Sequence, residues 1–401
     1  MCPEHLNVIP VPETITVEKL SKVLITTDTC NPARAMRRVL IEKRVGPDAL
    51  EQDCCNHLRN VHTGGVEISV SRFLTTVLRN SLDEIDPTLR VKTLYTPFCR
   101  AYDKEFSRSA NYYKGDAHLY YPWMKKNHRG AVLYGVVRAR GARQDLIYEC
   151  SLPIYMNRVY NLEFLDERLR CTDNILRKNL FCLLRSDEMV AQSRLFAILY
   201  LSVCIPLRWL SGKTHTLAEH DWSARSMSRA WNVFRAKMYL LKERPSLITS
   251  DQFMMSIFQE FVDELPPFKD YLREVFHERR TCVVDRDSGA KVAHINMARQ
   301  ELFEPKSETN IDSTPRLIEL ARIAAERYIV ELEDPKKATY FYLDISGSLL
   351  CWAKCPPEHH ERTKGCYATN DLCESALGGT TANIQKYDVI SHKAAASVSD
   401  S

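Results

Sequence analysis

The sequence has little that would carry it into or across a membrane. Met1 to Pro12 holds neither a basic stretch nor an apolar core of the kind that forms a secretory leader. The longest apolar run, Leu195 to Leu207, is broken by Ser202 and Pro206, so no membrane span is expected. Internal repeats are absent, and low complexity is confined to the small, polar tail Ala394–Ser401. A strong excess of one charge is missing too. The net charge is +4 over 401 residues, which permits nucleic-acid binding without arguing for it. No aspartate precedes Asp28; the acids before it are Glu4, Glu13 and Glu18.

What is present fits an ordinary globular chain. The apolar fraction is 45% and the charged fraction 26%, too balanced for a disordered segment. The length suits two domains, or one domain carrying a large insertion. There are 14 cysteines. Without a leader they imply a reducing compartment, with thiols buried or metal-bound rather than paired.

Along the chain, Val23–Thr27 is a short β-branched run that stops at Asp28. Asn31 and Pro32 then suit a helix start, and Ala33, Met36, Val39 and Leu40 recur on one helical face. Strand, acid, helix is the arrangement by which α/β sheets present functional groups at strand ends. From about residue 65 to 335 helical spacing dominates: Ile68–Ile85, Asp166–Leu184, Asp187–Ile205, Ser226–Leu241 and Asp251–Val262. Ala131–Val137 is the best strand candidate there, and Tyr112–Trp123 is rich in tyrosine and poor in helix signal. Thr314-Pro315 opens a helix with Leu317, Leu320, Ala321, Ala324 and Tyr328 on one face. A strand-like run around Asp344 follows, then a helix capped by Asn370.

Four constellations carry chemistry, each beside a plainer reading. Cys54 and His57 are spaced to share a metal, or they are a buried thiol and a satisfied imidazole. Asp371 and Glu374 share a helical face, or they are a solvated acidic first turn. Arg208, Lys213, Arg225 and Arg229 interleave with Trp209, Trp222 and Trp231, near His215 and His220. Cations among stacking aromatics suit nucleic acid. The plainer reading makes the tryptophans core and lets the arginines snorkel. Cys351, Cys355, Cys366 and Cys373, with His359 and His360, suit a zinc knuckle, though not at standard finger spacing.

Taken in order, these pieces resemble the catalytic region of cut-and-paste DNA transposases with an RNase H-like fold and a helical insertion, the hAT-like superfamilies and their relatives. The pieces are an acid at a strand end, Cys-x-x-His, a helical block with Arg208-Trp209, and Glu374 in Asn-Asp-x-x-Glu-Ser. The resemblance implies that Asp28 is the family's second Asp and Glu374 its final Glu. It implies that Cys54 and His57 organise the site and that Arg208 contacts DNA. Asp344 is the alternative ligand, which would make Asp28 the first acid. Two Mg²⁺ or Mn²⁺ ions, about 3.5–4 Å apart, are implied with them. DNA is the implied partner, in a nuclear setting, with self-association allowed and no membrane. The family's first Asp lies on an earlier strand. Its absence from residues 1–27 leads to the expectation of an N-terminally truncated chain or a non-catalytic relic. The expected fold is α/β plus α. Residues 1–64 and 336–390 would form an incomplete RNase H-like sheet, 65–335 a mainly helical insertion, and 391–401 a disordered tail.

Overall fold

Helical periodicity translates into structure through most of the described residues. The computed structural model describes residues 24–27, 50–53, 55–77, 95–107, 115–129, 131–137, 139, 145–171, 174–212, 224–276, 283–284, 291–292, 295–304, 313–334, 341–343, 349–351 and 356–358. The chain divides into two units. Met1–Leu58, Ser211–Arg229 and Thr339–Ser401 make one; Arg59–Leu210 and Ala230–Ala338 make the other.

The described strands are β1 (Leu24–Thr27), β2 (Leu50–Asp53), β3 (Val132–Leu133), β4 (Val283–Val284), β5 (Lys291–Val292), β6 (Phe341–Leu343) and β7 (Leu349–Cys351). In the first unit β1, β2, β6 and β7 form a four-stranded sheet in that order. β1 and β2 are parallel and end level, with Thr27 opposite Asp53. β6 runs antiparallel to β2, and its last residue, Leu343, sits opposite Glu51. The ends of β1 and β6 therefore point to opposite edges of the sheet.

The helices, in chain order, are α1 (Cys55–Val77), α2 (Tyr95–Phe106), α3 (Ala117–Asn127), α4 (Asp145–Met156), α5 (Arg158–Leu169), α6 (Ile175–Arg185) and α7 (Asp187–Leu199). They continue with α8 (Ile205–Gly212), α9 (Ala224–Glu243), α10 (Asp251–Met255), α11 (Gln259–Glu264), α12 (Pro266–Phe276), α13 (Ile295–Phe303) and α14 (Thr314–Glu333). In the second unit α7 is the axis. Every residue from Met189 to Leu199 is buried, and it packs chiefly on α4 and α14. Tyr148 of α4 stacks flat on Phe196 at 4.4 Å. The α14 stripe of Leu317, Leu320, Ala321, Ala324 and Tyr328 is buried, as its spacing predicts.

Three readings change. Asp187–Ser211 is long and apolar enough to cross a membrane, although Ser202 and Pro206 interrupt its apolar run. Its apolar window is wholly buried within the protein, and it packs as a core helix. The tyrosine-rich block runs into α3, despite Pro122 inside that helix. Burial of Tyr120 and Met124 outweighs the lost backbone bond. The helix expected from Ile68 starts earlier, at Cys55, and runs through Gly64-Gly65. A β-carbon at Gly65 would meet the Glu331 side chain, with Oε1 at 2.5 Å, so the buried Glu331 carboxylate of α14 fills the space beside this glycine.

One group of buried charges among the described residues is mutually paired. Asp116 precedes α3 but makes no side-chain cap bond. Its carboxylate instead accepts from Arg168 Nε at 2.9 Å and pairs with Arg177 Nη2 at 2.7 Å. Arg177 Nε also donates to Glu105 Oε1 at 2.8 Å. That chain ties α2, α3, α5 and α6 together.

Candidate nucleic-acid interface at the Arg-Trp corner

The corner is created by a proline. Pro206 has no N–H for the Ser202 carbonyl, and its ring crowds that carbonyl. The helix responds by widening into a π-turn over Tyr200–Cys204, in which the Ile205 N–H bonds Tyr200 O. Such bulges recur at functional sites because they rotate the next turn of helix. Here Leu207 and Leu210 turn inward and are buried, while Arg208 and Trp209 are left partly exposed.

Trp209 lies nearly parallel to two rings of α12, Phe268 at 5.1 Å and Tyr271 at 5.5 Å. Arg208 Nη2 stands 3.6 Å from Glu149 Oε2, with 42% of the arginine side chain exposed. Its charge is felt by two tyrosines. Burial, then Glu149, pushes the Tyr200 hydroxyl well above its ordinary pKa, and Arg208 pulls it back. Burial raises Tyr271, and Arg208 again opposes the shift. At this exposure the ion pair is worth about 0–1 kcal/mol. This pair by itself holds Arg208 only weakly.

The other expected site residues fare differently. Trp231 is core, 1% exposed, edge-on to His62 at 5.2 Å. Arg229 is exposed on α9. Arg225 falls within α9, His57 within α1 and Cys351 within β7. Asp28, Cys54, Lys213, Asp344, Cys355, Cys366, Cys373 and Glu374 lie outside the described residues. Among the described residues no three His, Cys, Asp or Glu come together to hold a metal ion.

Several residues of consequence escaped the sequence reading. Glu149, Phe268 and Tyr271 carry no local signal for a role beside Arg208 and Trp209. Asp53 closes β2 level with Thr27, the residue before Asp28. Its strand, Leu-Glu-Gln-Asp, is too polar to stand out as one.

Protein-family models give no match to this chain, and comparisons with curated proteins and with solved structures give none either.

Proposed function

We propose that this protein handles DNA, and that it derives from the RNase H-like transposases, whose intact members cleave and join DNA with divalent metal. The observation that supports this reading most is the sheet. Its strands come from residues 24–53 and 341–351, two chain regions separated by a large helical body. Parallel β1 and β2 end together at one edge, the edge at which α/β sheets meet ligands. Asp28 follows β1 directly, and Asp53 closes its neighbour.

In this reading Asp28 and Glu374 hold Mg²⁺ or Mn²⁺, since carboxylate oxygens suit hard cations. The metal, when bound, stabilises the attacking and leaving oxygens of a phosphoryl displacement. The opposite exits of β1 and β6 favour assigning Asp28 and Asp344 to different places. Cys54 and His57 organise the site. Arg208 exchanges its weak partner Glu149 for a phosphate, and Trp209 offers a ring beside it. Nuclear placement and self-association belong to the same proposal. So does zinc at Cys351, Cys355, Cys366 and Cys373, which native mass spectrometry of the whole chain would detect.

The test is nicking of supercoiled plasmid by the full chain in Mn²⁺, against Asp28→Asn and Glu374→Gln. The catalytic form of the proposal expects nicking that either substitution abolishes. Duplex binding without nicking identifies a non-catalytic DNA-binding descendant. The absence of both binding and nicking sinks the proposal.

A further inference from the structure

The paired helices α2 and α6 sort their charges by sign. α2 carries Arg100 and Lys104, both exposed, and Asp103 and Glu105, only 4% and 1% exposed. α6 has no acid at all. Of its cations, Arg177 is turned inward against Glu105 and Asp116, while Lys178 and Arg185 are exposed. The helices pack side by side. They run antiparallel, with Glu105 meeting Arg177 at one end and Phe98 beside Leu183 and Leu184 at the other.

Every exposed charge on this pair is therefore positive: Arg100, Lys104, Lys178 and Arg185. Spacing places each pair on one side of its own helix. Arg100 and Lys104 are one turn apart on one helix, and Lys178 and Arg185 two turns apart on the other. Arg185 is held over the Phe181 ring at 5.4 Å. The next exposed acid along the chain is Asp187, at the start of α7. Glu105 is taken up by the buried ion chain with Arg177, while the cations of the same helix stand outside. The chain's net charge is only +4, so a face of this sign is a local construction and not an overflow of basic residues.

We propose that this face docks the phosphate backbone of duplex nucleic acid, as a surface separate from the Arg208-Trp209 corner. The partner class rests on the DNA reading above; the charge sorting does not. A duplex carries one negative charge per about 1.7 Å of axis, so cations spread over about 10 Å of helix meet several phosphates together. The exposed cations sit on flexible stems and read charge without sequence.

The experiment is fluorescence anisotropy of the full chain with a labelled duplex of random sequence, across a salt series. The quadruple variant Arg100→Gln, Lys104→Gln, Lys178→Gln, Arg185→Gln should bind more weakly. Its slope of log K on log salt should be shallower by about 3–4. The double variant Lys104→Gln, Lys178→Gln should fall about halfway by the same counterion count, which guards against a quadruple variant that fails to fold. Affinity and slope equal to wild type in both variants overturn this surface while the DNA reading stands. Wild-type chain that binds no duplex at low salt overturns both. Displacement of the duplex by poly-glutamate at equal charge concentration overturns the nucleic-acid assignment in favour of an acidic protein partner.

Discussion

At the residue scale, the tightest constraints are a glycine and a buried ion chain. A β-carbon on Gly115 would collide with the Lys104 carbonyl oxygen and fall 2.9 Å from Glu105 Cα. Both are backbone atoms and cannot swing aside. Gly115→Ala is expected to cost about 1–3 kcal/mol, as overpacking does, seen as a fall of several degrees in Tm. Arg177→Met strands Glu105 and leaves Asp116 with Arg168, and should cost about 3–5 kcal/mol in a denaturant titration, more than most exposed substitutions. Glu105 adds a pH signature. Burial raises its carboxyl pKa above the ordinary value, and the Arg177 hydrogen bond and charge only partly reverse that. The folded chain then holds this proton more tightly than the unfolded chain. This group's contribution is fully present below the unfolded pKa and is lost as pH rises through the folded one. Wild type should therefore gain stability relative to Glu105→Gln as pH falls through the carboxylate range; an opposite trend in Tm would contradict the burial account.

At the element scale, period and caps made much of the helical body legible in the sequence. The stripe of α14 reads off Leu317, Leu320, Ala321, Ala324 and Tyr328, because a helix buries one face and repeats it. α3 was not legible, since its helical signal is interrupted by Pro122 and its stability comes from tertiary burial. Pairings between distant segments were equally hidden. No local pattern reveals that Glu149 meets Arg208, or that Asp53 stands level with Thr27. Within the third constellation, the plainer core reading holds for Trp231, whereas Trp209 is partly exposed and stacked on α12. That stack makes its own prediction. Trp209→Ala removes two aromatic pairs and should cost about 1–3 kcal/mol in thermal or denaturant melts. Trp209→Phe should recover part of it. A loss of DNA affinity in Trp209→Phe with stability largely kept would separate a DNA contact from a packing role.

At the scale of the whole molecule, one chain holds a small sheet drawn from distant regions and a helical body with an outward cationic face. In the proposed reading cutting belongs to the sheet and holding to the helical body, and the two can be assayed apart. The proposed metal site is open to a direct experiment: Mn²⁺ binding to the intact chain, followed by electron paramagnetic resonance, in wild type, Asp28→Asn and Glu374→Gln. Saturable binding is expected, weakened by about 10-fold or more in each variant, since each substitution removes a carboxylate from a hard-cation site. Binding that is absent in wild type, or unchanged by both substitutions, would contradict the assignment of Asp28 and Glu374 as metal ligands.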